Sequence, residues 1–456
     1  MVDYDDTVMS YATGERPQWL RPDPEPREWQ YDFISVDDHL VEPPTTFTDR
    51  LPARFADRAP RVERRNAIDY WIFEDQPTPL LTTDAHQSWD ASQWCVAPIN
   101  FDEIRRGTWD IDARVKDMDL AGISASLNFP STMFGFSGQR FARFADGELG
   151  LAALRAYNDW MHDEWYAPYP TRIIPCQVTW LRDPALAAAE IRRNADRGFR
   201  AVAFTENPER LGLPSLYSGE WDPFFAACEE TDTVINLHVG SSSQTLVPSK
   251  DSPPQVLGAL FPINAMQACL DWTFAKIPLR FPGIKIVLSE GGIGWILMLL
   301  ERFRYQHHIY VADGLGKEWA NEAYTPEELL RRNFWFTSFY DPLALAQRHE
   351  IGIDRIMLES DYPHADSTWP DSQQRLQECV GSFPDAEIAK LTHENASALY
   401  RFSLDGGKVQ GRFSREDAAQ GKSPTEHERN HVDEPEQGIV GEGRLHAHRG
   451  DHARQR

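Results

Sequence analysis

No stretch of this 456-residue chain is both long and apolar enough to cross a bilayer; the longest apolar run, near Ile293 to Leu300, has about half the required length. Runs of Lys and Arg are missing too. With a formal net charge of −24 the chain repels phosphate backbones and anionic lipid, which excludes nucleic acid and membrane surfaces as partners. Cysteine is scarce: Cys95, Cys176, Cys228, Cys269 and Cys379 are widely separated and never in C-x-x-C spacing. Neither a disulfide framework nor a thiolate zinc site is indicated, so any metal must be held by oxygen and nitrogen. No G-x-G-x-x-G follows the first strand pattern and no G-x-x-x-x-G-K occurs, which argues against a dinucleotide fold or a P-loop. The acidic segment Met1 to Gly14 is unlike a signal peptide, and a cytoplasmic protein is expected.

Large rings, by contrast, are plentiful. Fifteen Trp and 24 Phe suit a buried core or an aromatic-lined pocket, as in a folded enzyme. Residues 1–30, with Pro17, Pro22, Pro24 and Pro26 among charges, read as an extended arm. Residues 405–456 lose almost all apolar character and read as a disordered tail; its histidines, His427, His431, His446, His448 and His452, are expected to be solvated. Between these ends a β-rich apolar run is followed repeatedly by an amphipathic stretch. The runs are Phe33 to Val36, Ser124 to Asn128, Ile173 to Val178, Ala201 to Phe204, Val234 to Leu237, Lys285 to Leu288, Phe334 to Thr337 and Ile356 to Leu358. Helical patterns lie between most of them: Asp112 to Ala121, Leu149 to Trp165, Pro184 to Ala195, Trp221 to Glu229, Ile263 to Ala275 and Ile293 to His307. The expected fold is an α/β (β/α)8 TIM barrel over residues 31–404, with an insertion at 43–110 after the first strand that caps the barrel mouth.

Active sites in such barrels lie just past the C-terminal ends of the strands. There the chain places Asp37 and His39 after strand 1, Glu206 after strand 4, His238 at strand 5, Glu290 after strand 6, and Asp361 with His364 after strand 8. Asp37 and His39 share one face of an extended segment by two-residue alternation. Each of these residues alone has an ordinary reading as a helix cap, a turn or a satisfied core histidine. Together they place several carboxylates and imidazoles at one mouth, a costly arrangement unless cations compensate it.

The segments SVDDHLVEPP, RVKDMDLAGIS, INLHVG, LSEGG, LESDYPH and HENASALYRF resemble the amidohydrolase superfamily, in the related group of aminocarboxymuconate-semialdehyde and aromatic-acid decarboxylases; the resemblance runs from about Ile34 to Phe402. It implies that the family's strand 1 H-x-H pair falls on Asp37 and His39, its strand 5 ligand on His238 and its strand 8 aspartate on Asp361. Two departures stand out: Asp37 replaces a histidine, and Glu290 replaces the histidine that often follows strand 6.

The candidate metal set is therefore Asp37, His39, Glu206, His238, Glu290 and Asp361, holding one or two divalent ions of Fe, Mn or Zn, with Asp361, Glu290 and His364 as catalytic candidates. The first functional expectation is a hydrolase or non-oxidative decarboxylase acting on a small carboxylate-bearing substrate. Its rival is a dioxygen-activating Fe or Fe/Mn hydroxylase of the same fold, since the chain also looks similar to the 2-aminoisobutyrate hydroxylase type. The third is a non-catalytic subunit paired with an active homologue. A homo-oligomer, or a hetero-oligomer with a homologous subunit, is expected from the arm.

Overall fold

The computed structural model describes residues 2–3, 14–313, 319 and 321–404; the histidine-bearing tail lies outside them. The chain alternates parallel strands with helices. Strands β1 (Ile34–His39), β2 (Ala125–Phe129) and β3 (Ile173–Ile174) form one parallel sheet in that order. A second contains β4 (Cys176–Val178), β5 (Ala201–Phe204), β6 (Val234–His238), β7 (Ile286–Ser289), β8 (Phe334–Ser338) and β9 (Ile356–Leu358), each beside its neighbour in sequence. Every expected β run is thus a strand. The run Ile173 to Val178 is divided at Pro175, which has no N–H to give a ladder.

Alternation along the strands sorts their side chains onto two faces. Val202, Phe204, Ile235, Leu237, Ile286, Leu288, Phe336 and Leu358 join the core formed with the helices. Ala201, Ala203, Val234, Val287, Trp335 and Met357 pack on the other side with Ile34, Val36 and the helix residues Ala396, Leu399 and Tyr400. Continuing that second phase along β6 leads through Asn236 to His238, and along β9 from Met357 to Glu359.

A regular β1 would break the pattern, because Ile34 and Val36 on this second face would turn Asp37 and His39 away from it. A bulge prevents that. The register steps from Ser35 opposite Ser126 to Asp38 opposite Asn128, so two residues of β1 oppose Leu127 alone. The extra residue reverses the phase and brings Asp37 and His39 to the face of His238. Asp38, turned the other way, accepts from Ser35 Oγ at 3.0 Å and from the Tyr362 N–H at 3.1 Å.

Helix α1 (Ile111–Ala121) returns the chain from the long first connection to β2. Asp110 caps it through the Ala113 N–H at 2.9 Å, and Gly122 closes it at φ 73°. Asp110→Ala is expected to lower stability by about 1 kcal/mol, read as a lower urea midpoint at constant m-value. The helix expected from Ile263 begins at Pro254 and runs through Pro262 to Phe274. Leu257 and Phe261 extend the inward stripe of Ala265, Ala268 and Trp272, and that burial outweighs the interior proline. The stretch Leu149 to Trp165 is a helix from Gly147 to Trp160 followed by a wider π turn, Met161–Tyr166. Helices Pro326–Asn333 and Ser372–Val380 were not expected, although Thr325 and Glu328 form a capping box at the start of the first.

The connection between β1 and α1 holds an antiparallel sheet of Arg61–Arg65, Ile68–Phe73 and Gln76–Pro79, with Trp71 and Trp89 buried. The described part of the N-terminal arm lies extended on its own chain: the Arg21 N–H donates to Ser88 O, Asp23 pairs with Arg105, and the Gln30 N–H donates to Gln373 Oε1. Among the described residues no helix is long and apolar enough to cross a membrane.

Candidate metal centre

Two overlapping groupings of ligating side chains occur among the described residues: Asp37, His39 and His238, and His39, Asp361 and His364. Each residue comes from a strand end, so residues more than 300 positions apart meet. The Asp361 N–H donates to Asp37 O at 2.8 Å and the His39 N–H to Tyr362 O at 2.7 Å, which stitches the segment after β9 to β1. Asp361 and Glu290 both have left-handed backbones, at φ 56° and 58°, a conformation that costs a non-glycine residue about 1 kcal/mol or more and recurs at functional sites.

The imidazoles are oriented alike. His39 Nδ1 lies 3.2 Å from Pro130 O and His238 Nδ1 lies 2.7 Å from Val239 O. A carbonyl only accepts, so each ring carries its proton on Nδ1 and turns a bare Nε2 inward. Those two Nε2 atoms are 2.9 Å apart. Burial pushes His238 down to about 3, and burial with the neighbouring His364 and His238 pushes His39 well below the usual histidine range, so both rings are neutral near pH 7. Two neutral lone pairs facing each other repel unless a cation lies with them. Around the same point, Asp37 Oδ1 is 3.4 Å from His39 Nε2 and 3.5 Å from His238 Nε2, Asp361 Oδ1 is 3.5 Å from His39 Nε2, and Glu290 Oε2 is 3.4 Å from His238 Nε2.

The carboxylates show the same strain. Both oxygens of Asp37 and Oδ2 of Asp361 are buried without a hydrogen-bond partner. Burial, then the charges of Glu359, Asp361 and Glu290, hold Asp37 well above the usual carboxylate range. Burial and the charges of Asp361 and Asp366 do the same to Glu290, and burial brings Glu359 to about 8. Neutral imidazoles with converging lone pairs, beside carboxylates that cannot all ionise without a counter-charge, are a donor set fitted to a divalent cation.

His364 complements this set. Its Nδ1 is 3.0 Å from Asp361 Oδ1 and its Nε2 is buried without a partner. Burial disfavours its charge, but Asp361 outweighs that and raises its pKa. Glu206 stands apart from both groupings: its Oε2 accepts from the Gly240 N–H at 3.0 Å and from Ser242 Oγ at 3.4 Å, in the turn after His238.

Sequence reasoning missed three contributors. Glu359 accepts from the Glu290 N–H at 3.4 Å, and the β9 alternation through Met357 was the signal for it. Phe136, from the loop after β2, places its ring centroid 4.1 Å from that of His238 and 4.8 Å from that of His39, covering both imidazoles. Asp84, from the long first connection, accepts from Thr132 N–H and Oγ1, each at 2.8 Å, and its charge helps raise the pKa of His364. Nothing in the sequence places Phe136 or Asp84 here.

Comparison with known proteins gives a family and a fold. A family model described as Amidohydrolase matches residues 83–402. Among solved structures, an amidohydrolase of Mycobacterium avium subsp. paratuberculosis K-10 aligns over 82% of this chain and 100% of its own, at 22% identity and TM-score 0.63. The 5-carboxyvanillate decarboxylase of Sphingomonas paucimobilis aligns over 82% and 99%, at 21% identity and TM-score 0.55. A dihydroxybenzoic acid decarboxylase of Polaromonas sp. JS666, with bound manganese and the inhibitor 2-nitroresorcinol, aligns over 82% and 97%, at 18% identity and TM-score 0.54.

Proposed function

The chain belongs to the amidohydrolase family, and from that membership we propose that it is a divalent-metal-dependent, non-oxidative decarboxylase of a small carboxylate-bearing aromatic substrate. The observation that carries this reading is the convergence of the His39 and His238 Nε2 atoms with Asp37 and Asp361, directly beside the proton-bearing His364. Asp37, His39, His238 and Asp361 would hold the ion, and Glu290 is a further candidate donor. The oxygen-rich set suits Mn²⁺ or Fe²⁺ more than Zn²⁺. When bound, the ion supplies a Lewis acid that anchors and polarises substrate oxygens.

The chain's own residues supply the proton and the shelter. As the bond from the ring carbon to its carboxylate breaks, carbon dioxide leaves and the electron pair stays on the ring carbon, which takes a proton from His364. Asp361, 3.0 Å from His364 Nδ1, holds the imidazole in place. Burial and the charges of Asp361 and Asp366 hold the Glu290 carboxyl above the usual range, and Glu290 is the second acid/base candidate beside His364. Phe129 and Phe136 pack on the imidazoles and keep water off them.

We extend the reading to the architecture: the two parallel sheets are the halves of one (β/α)8 barrel spanning residues 31–404, with the 43–110 insertion over its mouth. Two features support closure. β3 and β4 are consecutive through Pro175, and the Asp361 and His39 N–H groups join the chain after β9 to β1. Support for the cap comes from Gln87, whose N–H donates to Pro363 O at 3.0 Å and whose Nε2 donates to His364 O at 3.2 Å.

The test is anaerobic incubation of the metal-loaded protein with hydroxylated benzoates, scoring carbon dioxide. His364→Asn is expected to lower kcat by about 10²- to 10⁴-fold while the metal content stays unchanged. A second reading has its own support: Asp37, Glu290, Glu359 and Asp361, with two groupings that share His39, offer donors for two ions and for oxidative chemistry. Two redox-active ions per chain and turnover only in oxygen would replace decarboxylation by hydroxylation. Turnover by the isolated chain would dispose of a purely auxiliary role, and light scattering on the same sample reads its oligomeric state.

A further inference from the structure

The orientation of the two imidazoles has a common origin. We propose that Glu42 and Glu206 are positioning residues, each acting on one histidine through a single intervening peptide group. Glu206 Oε2 accepts from the Gly240 N–H at 3.0 Å, while Val239 O faces His238 Nδ1 at 2.7 Å. Glu42 Oε1 accepts from the Ser131 N–H at 3.1 Å, while Pro130 O faces His39 Nδ1 at 3.2 Å. In each case the carbonyl and the N–H belong to one planar amide, Val239–Gly240 or Pro130–Ser131. The order is the same twice: carboxyl oxygen, amide N–H, the same amide's carbonyl, imidazole Nδ1–H. A serine hydroxyl backs both carboxylates, Ser242 for Glu206 and Ser131 itself for Glu42.

A carboxyl oxygen accepting at the N–H end polarises the amide and makes its carbonyl a better acceptor, because hydrogen bonds in series strengthen one another in a low-dielectric interior. The stronger acceptor keeps the proton on Nδ1, fixes the ring and leaves Nε2 bare and more basic toward the centre. Glu42, Glu206, His39 and His238 are all at least 97% buried, so water does not compete for these bonds. The Glu206 side is braced further: its N–H donates to Ser241 Oγ, its carbonyl accepts from Trp272 Nε1 at 2.9 Å, and the turn needs φ 83° at Gly240. Glu206 thus serves the centre from one peptide away, and Glu42 is its counterpart on β1's exit.

The inference rests on the reading of His39 and His238 as ligands, and its test separates the two. In metal-free protein, nitrogen NMR is expected to show both rings as Nδ1–H tautomers with far-downfield imidazole protons. In Glu206→Gln the His238 proton moves upfield and the His39 proton does not, and Glu42→Gln gives the reverse. Cobalt(II) affinity by chelator competition falls about 10-fold in each single variant and about 100-fold in the double, since the relays are separate. Unchanged resonances and affinity in both variants would overturn the proposal. So would an Nε2–H tautomer at either ring in the unsubstituted protein, a measurement that needs no variant to fold. If the proton shifts follow the pattern while the unsubstituted chain binds no divalent ion, the relays stand and the metal reading falls.

Discussion

Asp361→Asn is expected to leave a folded protein that no longer retains its divalent ion. The asparagine fills the same volume and keeps the left-handed turn at φ 56°, but it replaces an anionic donor 3.5 Å from His39 Nε2 with a neutral one. Loss of an outer partner typically weakens metal binding about 10- to 100-fold, so loss of a direct donor should exceed about 100-fold and abolish turnover. Metal content after desalting, with circular dichroism as the folding control, reads the result. A wild-type metal content in this variant would place the ion elsewhere. The same substitution removes a charge that raises Asp37, Glu290 and Glu359, so the metal-free variant should be more stable than the metal-free parent at pH 8. Better folding with lost function would mark a site strained for the sake of its cation.

The second large effect is the pH dependence of the metal-free protein. Glu359 sits at about 8 against 4.5 for an ordinary glutamate, so between those values the folded chain keeps a proton that the unfolded chain releases. Its contribution is full below 4.5 and lost as pH rises through 8. Asp37 and Glu290 are displaced in the same direction. His238 runs the other way: at about 3 against 6.5, its contribution is present above 6.5 and lost as pH falls toward 3. The opposing slopes overlap in acid, and above 6.5 the carboxylate slope remains, joined by that of His364, whose raised pKa acts in the same direction. The Tm of chelated protein should therefore fall between pH 6.5 and 8.5. A bound ion supplies the missing counter-charge, and at 100 times its Kd adds about 2.7 kcal/mol. Chelation should then lower Tm by on the order of 5 °C at pH 8.5 and by less at pH 6.5. An equal drop at both values would show that the carboxylates are not what the ion compensates.

Much of this was legible in the sequence. The eight β runs, the strand-end positions of Asp37, His39, His238, Glu290 and Asp361, and the oxygen and nitrogen character of the site all follow from periodicity and residue type, which act within one element at a time. Even Glu359 was within reach, two positions past Met357 on the same face.

What the sequence left open depends on how elements meet. Alternation puts Asp37 and His39 on one side of β1, but only pairing with β2 creates the bulge that turns that side inward. The identity of Glu206 announces a buried charge at a strand end, yet whether it meets a cation or a peptide N–H depends on the turn that follows His238. Glu42 and Phe136 reach the centre from loops, where no period constrains direction, and Asp84 from the short 3₁₀ helix Thr82–Ser88 of the first connection. The sequence by itself determined which side chains could serve as donors. The tertiary structure decided where each lone pair points, because direction is fixed by hydrogen bonds between segments far apart in the chain, and those bonds exist only once the strands have paired.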